Sequence, residues 1–246
     1  MLMMKFVIFG DIHDCIDRVE MIFSIAKDIF VDVSYALITG DYGEKNESVL
    51  RVAKIIRENG IIGISTYGNH EPEIIRKAVK NAEITNLNGI RLLSLGARCN
   101  LGDITILGLG GNRGSGKKWS HWRDHQVERI IDMYKGDKID IILSHEMPYG
   151  LADICRGNKH CGQLVLRRVV DELNPIIFIG GHLHTFPNMM TYKDSIILKV
   201  GGISNRGALR DVSFFSILEW NKRIRMRIYR LNVSEEKVSE ILIFTP

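Results

Sequence analysis

Short apolar segments alternate with amphipathic ones along most of this 246-residue chain, at a spacing of roughly 30 residues. The hydrophobic pattern predicts buried strands at residues 5–9, 35–39, 61–65, 139–143 and 176–179. It predicts helices at residues 16–30, 49–58, 74–80, 122–134 and 161–173. Because consecutive parallel strands need a crossover connection, usually a helix, this order predicts an α/β fold around a largely parallel sheet.

Other parts of the chain favour antiparallel strands. Residues 86–111 contain short apolar runs broken by glycines, which is typical of hairpins. Further strands without intervening helices are predicted at residues 195–200, 212–219 and 223–231. Arg223, Arg225 and Arg227 alternate with apolar residues, so they form either a solvated face or an anion-binding face. With no linker or repeat in the sequence, we expect one domain over residues 1–246, built as two packed mixed sheets flanked by helices.

Composition narrows the class of protein. Hydrophobic residues make up 45% of the chain, which fits a soluble globular protein, and the net charge of +4 favours anionic partners without requiring nucleic acid. The apolar start reaches Asp11 too early for a signal peptide and no run is long enough to cross a membrane, so we expect a cytoplasmic protein. Four scattered cysteines without a C-x-x-C pair predict buried thiols: Cys15, Cys99, Cys155 and Cys161.

A polar cluster follows each of the five buried strands predicted from the alternation. The clusters are FGDIHD, TGDYGE, YGNHE, LSHEMP and GGHLHT. Each one alone is compatible with an ordinary turn or helix cap. However, the carboxyl ends of parallel strands lie at the same edge of a sheet, so the polar side chains of all five clusters are expected to meet there. These side chains are Asp11, His13, Asp41, Asn69, His70, His145, His182 and His184.

The residue types in these clusters indicate divalent metal ions. Imidazole, carboxylate and amide oxygen without a thiolate suit Mn, Fe, Co, Ni or Zn. Seven candidate ligands exceed the needs of one ion, and Asp41, which has no histidine ligand beside it, is a natural bridge between two ions. Asn69 is then expected to be a ligand, while the adjacent His70 is expected to face the substrate.

The clusters together resemble the sequence blocks of the calcineurin-like metallophosphoesterase superfamily. The blocks D-x-H, G-D, G-N-H-[DE], H and G-H-x-H occur in that order within residues 11–184. The resemblance implies an α/β/β/α sandwich with a dinuclear centre. It places one metal on Asp11, His13, Asp41 and His184, and the other on Asp41, Asn69, His145 and His182. It also implies that His70 faces the substrate and that Glu71 orients it.

The resemblance predicts a metal-dependent phosphoesterase. Residues 150–169, followed by GGHLHT, are similar to small family members assigned to phosphodiester hydrolysis. In the expected mechanism, a hydroxide between the metals attacks phosphorus in line and His70 protonates the leaving oxygen. A small phosphodiester is the first choice of substrate, with manganese among the candidate metals. The alternatives are a phosphomonoesterase or a nuclease of the same family, or an interaction scaffold that has kept the fold without turnover.

A further motif, GNRGSGKK at residues 111–118, nearly matches the phosphate loop G-x-x-x-x-G-K-[ST]. Lys118 replaces the hydroxyl residue that would bind magnesium, and the tryptophan-containing residues after it begin a helix poorly. We therefore interpret the segment as a basic loop. Its cationic residues either approach an anionic substrate or are merely solvated; they are Arg113, Lys117 and Lys118.

Overall fold

The structure, a computed structural model, describes residues 3–115, 118–155, 157–206, 209–221 and 223–245. The helices are α1 (Ile16–Ile25), α2 (Asn46–Glu58), α3 (Glu73–Asn81), α4 (Asp124–Tyr134) and α5 (Leu164–Leu173). The strands are β1 (Met4–Phe9), β2 (Val33–Ile38), β3 (Ile62–Ser65), β4 (Ile84–Leu87), β5 (Ile90–Leu93), β6 (Arg98–Leu101), β7 (Ile104–Leu109), β8 (Asn112–Arg113), β9 (His121–Trp122), β10 (Ile141–Ser144), β11 (Ile177–Gly180), β12 (Asn188–Tyr192), β13 (Ser195–Lys199), β14 (Val212–Trp220), β15 (Ile224–Asn232) and β16 (Lys237–Phe244). Among the residues described, no helix is both long enough and apolar enough to cross a membrane.

Two large mixed sheets form the centre of the fold. The first has the strand order β16–β15–β14–β1–β2–β3–β5–β4, and the second has the order β12–β13–β11–β10–β7–β6. Strands β1, β2 and β3 are parallel neighbours in the first sheet, as are β10 and β11 in the second. Strands β8 and β9 pair separately as a short parallel ribbon. The five strands predicted from the alternation therefore lie side by side in two groups.

The hydrophobic residues occupy three layers. Phe6 and Ile8 of β1 point between the sheets, where they pack in one cluster with Leu143 of β10. Their neighbours in sequence point the other way, and Val7 packs with α1 and α2 on the outer face of the first sheet. Helices α4 and α5 cover the second sheet through residues such as Val169. Burying a side chain of this size stabilises the fold by about 1.5–3 kcal/mol. The predicted sandwich of two sheets between helices is confirmed.

The first helix is shorter than the hydrophobic spacing predicts. Helix α1 ends at Ile25, and residues 26–32 form turns instead of a further helical turn. Ile29 and Phe30 nevertheless pack against the core beneath the helix. Apolar spacing reports burial, and turns can bury the same side chains as a helix.

The last strands clarify the arginine pattern. Arg223 and Arg225 are exposed, while Arg227 is partly buried and pairs with Glu219 at 2.5 Å. These contacts favour the solvated face over an anion site. Strand β16, which the hydrophobic pattern does not predict, pairs with β15 at the edge of the first sheet. Most of its side chains are exposed, so burial imposed no alternation on its sequence.

The prediction of four thiols is wrong for one pair. Cys155 and Cys161 form a disulfide, with their Cα atoms 6.0 Å apart, within the usual range for such bonds. A backbone bridge between Ile154 and His160 brings the two cysteines together. That bridge depends on how the loop turns, which cysteine spacing alone does not reveal. The other two cysteines are free thiols: Cys99 is buried as expected, whereas Cys15 is only partly buried.

Candidate metal centre

The candidate ligands lie in loops that follow parallel strands of both sheets. The loops after β1, β2 and β3 carry Asp11 with His13, Asp41, and Asn69. The loops after β10 and β11 carry His145, and His182 with His184. Because each ligand lies within a few residues of a strand end, the sheets fix where its loop begins. The strand ends thus bring together residues that are far apart in sequence.

Backbone hydrogen bonds hold these loops against one another. His13 N donates to the carbonyl oxygen of Asp41 at 2.9 Å, which joins the loops after β1 and β2. His182 N donates to Oδ2 of Asp11 at 3.0 Å, which joins the second sheet to the first. The site is therefore assembled across the interface of the two sheets.

The side chains form two clusters that share one residue. Asp11, His13, Asp41 and His184 each offer a ligand atom, and these atoms lie within 4.8 Å of one another. Asp41, His145 and His182 form the second cluster by the same criterion. Oδ1 of Asn69 lies 3.1 Å from Nε2 of His145, so the amide adjoins this second cluster. The division matches the one that the family resemblance implies, with Asp41 common to both sides.

Two contacts in the clusters bring ring nitrogens of neighbouring histidines close together. Nε2 of His13 lies 3.2 Å from Nε2 of His184, and Nε2 of His145 lies 3.1 Å from Nδ1 of His182. Nδ1 of His145 is 2.9 Å from the carbonyl oxygen of Thr39, to which it donates, so Nε2 of this ring carries the lone pair. Two such lone pairs repel each other unless a cation or a proton lies between them. Among the described side chains, the buried Oδ2 of Asp41 also has no hydrogen-bond donor. This donor set fits divalent cations.

Burial keeps the imidazoles of His182 and His184 neutral, which is the form in which histidine binds a metal. Burial, followed by the neighbouring His145 ring, lowers the pKa of His182 to about 3. Burial and the His13 ring likewise lower the pKa of His184 to about 4. Burial acts to raise the pKa of Asp41, but the rings of His145 and His13 outweigh it and hold this pKa well below its usual value. At neutral pH, His182 and His184 therefore offer neutral imidazoles and Asp41 offers an ionised carboxylate, as metal coordination requires.

The backbone at the candidate ligands is strained. The left-handed region is occupied by Asp11 (φ 51°), His13 (φ 46°), Asp41 (φ 57°), His182 (φ 70°) and His184 (φ 45°). Such conformations cost a residue other than glycine about 1–3 kcal/mol and concentrate at functional sites. Close approach also requires glycine at position 68, where a Cβ atom would lie 2.0 Å from Oδ1 of Asp41.

His70 and Glu71 have different surroundings from those expected. Glu71 is buried, and its Oε1 accepts hydrogen bonds from the backbone N–H groups of Gly68 at 2.6 Å and Asp41 at 2.7 Å. The carboxylate beside the imidazole of His70 belongs instead to Glu44, whose Oε1 lies 3.0 Å from Nδ1. The structure thus gives to Glu44 the contact that the resemblance implied for Glu71. Glu71 joins the loops after β2 and β3.

The comparisons with known proteins agree with this geometry. A family model of the calcineurin-like phosphoesterases matches residues 4–186 of the sequence. The chain belongs to this family. A comparison with curated proteins finds no match.

Solved structures of low sequence identity share the fold of this phosphoesterase chain. TT1561 of Thermus thermophilus is 13% identical with a TM-score of 0.66, and the match covers 98% of this chain and 99% of that chain. A dimetal phosphatase from Danio rerio is 9% identical with a TM-score of 0.63 and 98% of each chain covered. GAP50, the anchor in the inner membrane complex of Plasmodium, is 10% identical with a TM-score of 0.63, over 100% of this chain and 89% of that chain. At such identities the likeness shows the fold alone.

The basic loop of this phosphoesterase divides into a part near the clusters and a part away from them. Nζ of Lys118 donates to the carbonyl oxygen of Asn69 at 2.7 Å. Arg113 instead forms a two-bond ion pair with Asp124, at 2.6 and 2.9 Å, and lines a separate cavity of about 540 Å³ that none of the candidate ligands lines. Lys117 lies outside the described residues. The helix required by a phosphate loop does not follow at once, because β9 precedes α4.

A cavity of about 550 Å³ adjoins the clusters. It is lined by Asn69, His70, Cys155, His182, Leu183, His184 and Arg206. Arg206 and Glu44 are not among the site residues predicted from the sequence. Glu44 stands in the TGDYGE cluster three residues after Asp41, so its position in that cluster was a usable signal. Nothing comparable marks Arg206, which lies in a loop with no ligand of its own.

Proposed function

We propose that this member of the calcineurin-like phosphoesterase family is a dinuclear metal-dependent hydrolase that prefers phosphodiesters. The observation that carries the proposal is the position of Asp41 in both clusters of candidate ligand atoms. A single carboxylate that serves both clusters is the arrangement expected when two cations act on one phosphoryl group.

The residues of each cluster have a defined task in this proposal. Asp11, His13 and His184 would hold one ion, with Asp41 as the shared ligand. Asn69, His145 and His182 would hold the second ion. When bound, two divalent ions supply neutralisation of the phosphoryl charge and activation of water. Burial lowers the pKa of His145, His182 and His184, and the pKa of Asp41 is also low, so these four ligands need no proton removed before they coordinate at neutral pH.

His70 would act on the leaving group. Its ring lines the cavity, and its side chain is 34% exposed, whereas that of Asp41 is fully buried. Because Nδ1 faces the carboxylate of Glu44, Nε2 is the nitrogen available to the substrate. As the ester P–O bond breaks, the leaving oxygen takes a proton from Nε2, and Glu44 stabilises the ring while it is charged. His70 is therefore the proposed general acid, and Glu44 positions it.

A phosphodiester fits this arrangement better than a phosphomonoester. One phosphate with a single negative charge can be held by the metals while His70 protonates an alcohol that leaves poorly on its own. The cavity of about 550 Å³ lies in the range of small-molecule sites, which favours a small substrate over DNA. We further propose that manganese is one of the metals used and that residues 1–246 form one domain.

The test is hydrolysis by protein reconstituted separately with Mn, Fe, Co, Ni and Zn. The panel contains phosphomonoesters, linear phosphodiesters, cyclic nucleotides and single-stranded DNA. We expect the highest kcat/KM on a linear or cyclic diester, loss of turnover in His184→Ala, and unchanged turnover in Asp17→Ala, an exposed carboxylate on α1. Faster monoester hydrolysis would overturn the diester preference. Two bound metals without turnover on any substrate would favour the scaffold alternative.

A further inference from the structure

A loop between β13 and β14 forms one wall of the cavity beside the metal clusters. Its described residues are 200–206 and 209–211, and Arg206 is the member that lines the cavity. Arg206 is exposed, and among the described residues that line this cavity it is the lysine or arginine that accompanies His70 and His184. The loop thus places a positive charge opposite the groups to which we assign the chemistry.

A buried arginine on α1, a helix far from this loop in sequence, fixes the loop through direct hydrogen bonds. Arg18 of α1 is only 6% exposed. Its Nη1 lies between 3.0 and 3.3 Å from five oxygens: the carbonyls of Ile203, Ser204, Leu209 and Val212, and Oγ of Ser213. Its Nη2 donates to the carbonyl oxygen of Arg210. Taking a guanidinium out of water is costly unless its donors are satisfied, and here the loop backbone satisfies them. One side chain therefore holds the described residues on both sides of this loop.

The loop is also fastened to the metal clusters. Ser204 N donates to the carbonyl oxygen of Asp11 at 2.9 Å, and Oγ of Ser204 lies 3.5 Å from Nδ1 of His184. Ile203 N donates to the carbonyl oxygen of Gly10 at 3.1 Å. Arg206 comes two residues after Ser204 and three residues after Ile203. Its backbone is therefore set relative to the clusters, although its side chain is exposed.

We propose that Arg206 binds an anionic oxygen of the substrate and that Arg18 positions it by holding the loop. This inference rests on the proposed function, because it assigns the site to a phosphate ester. A guanidinium offers paired N–H donors that match phosphate and carboxylate oxygens. The oxygen belongs either to the reacting phosphoryl group or to a second acidic group on the leaving alcohol. Both sources present the same chemistry to Arg206.

The first experiment measures binding of inorganic phosphate to manganese-loaded protein by calorimetry, which needs no turnover. Arg206→Ala is expected to weaken binding about tenfold, and Arg206→Lys to restore part of the loss. The matched control is Arg210→Ala, which removes an exposed arginine from the same loop outside the cavity and is expected to change nothing. Equal binding by wild type and Arg206→Ala overturns the contact with the reacting phosphoryl group and leaves the second acidic group as the only source, which the kinetics below test. A wild type that binds no phosphate overturns the inference.

Kinetics on two diesters identify the source of the oxygen. One is bis-p-nitrophenyl phosphate, with a single acidic group, and the other is a dinucleotide that carries an additional terminal phosphate. A rise in KM for both in Arg206→Ala assigns the contact to the reacting group, and a rise only for the dinucleotide assigns it to the second group. An unchanged KM for both contradicts the inference. A wild type that binds phosphate but hydrolyses neither diester contradicts the proposed function and leaves the calorimetric comparison valid.

A double-mutant cycle tests the part assigned to Arg18. Arg18→Lys keeps the charge but cannot reach the same set of carbonyls, so phosphate binding is expected to weaken about threefold. In the Arg206→Ala background the same change is expected to have no further effect, because Arg18 acts through Arg206. An equal loss in both backgrounds would show that Arg18 acts by another route and would overturn its positioning role. Metal content is measured for every variant, so that damage to the clusters is recognised.

Discussion

The metal clusters and the rim of the cavity are built in different ways. The cluster side chains follow strand ends, are largely buried and sit on strained backbone joined by direct hydrogen bonds. By the rim we mean the exposed side chains of Lys118 and Arg206, which lie on loops. Lys118 contacts the backbone of Asn69, and the loop of Arg206 is held by Arg18 of α1. The sheets therefore fix the chemical groups rigidly, whereas the rim can differ without disturbing them.

The largest effect is expected at the residue shared by both clusters. Asp41→Ala should lose both metals, because its carboxylate serves each of them. Turnover should fall by more than about 100-fold, since even partners one step removed from a metal contribute about 10–100-fold. Elemental analysis should approach two divalent ions per wild-type chain and fall towards zero in the variant. One metal in the wild type would contradict the shared-ligand assignment.

A large effect that depends on the class of ester is expected at His70, which lies between the metal clusters and the rim of the cavity. His70→Ala should keep both metals and slow esters of alkyl alcohols by about 10²–10⁴-fold, because their leaving oxygen needs a proton. Nitrophenyl esters, whose leaving group needs little protonation, should be slowed far less. Asn69→Ala provides the contrast: it should weaken one metal site, slow all esters, and recover partly at high metal concentration. Equal slowing of both ester classes by His70→Ala would remove the general-acid role.

The two glutamates near His70 should separate function from folding. Glu44→Gln is expected to lower kcat on alkyl esters about tenfold, because the carboxylate contacts the His70 ring. The melting temperature should not change, because the Glu44 side chain is exposed. Glu71→Gln is expected to destabilise the fold by about 1–3 kcal/mol, because a buried amide cannot accept all the backbone hydrogen bonds now made to the carboxylate. Kinetics combined with thermal denaturation check both. A lower melting temperature in Glu44→Gln but not in Glu71→Gln would contradict the functional role given to Glu44 and the structural role given to Glu71.

The smallest effects are expected in the basic loop. Lys118→Ala should raise KM about threefold with little change in kcat, because an exposed cation near Asn69 contributes to binding in ground and transition states alike. Arg113→Ala should change KM less than about twofold, since Asp124 already occupies its guanidinium. Steady-state kinetics on one diester compare the two variants. A larger effect at Arg113 would place the substrate on the other side of this loop.

Part of this architecture could be predicted from the sequence because it depends on local patterns. Strands such as β1 and β10 are short apolar runs, and residues that follow parallel strands meet at one edge by geometry alone. Asp11, Asp41 and His145 follow such strands, and they lie in the two clusters that share Asp41. The exposed edge strand β16 and the turns after Ile25 could not be predicted, because burial does not dictate a distinct pattern in either segment.

The sequence by itself determined the sandwich of sheets and helices and the set of donors at the strand ends, because hydrophobic periodicity and strand polarity are properties of short segments. Only the tertiary structure decided that Glu44 faces His70, that Arg18 holds the loop of Arg206, and that Cys155 meets Cys161. These contacts join side chains across loops whose paths depend on packing of the whole molecule. Hydrophobic periodicity does not specify the path of a loop, so the contact partners of exposed and loop residues follow from the tertiary structure alone.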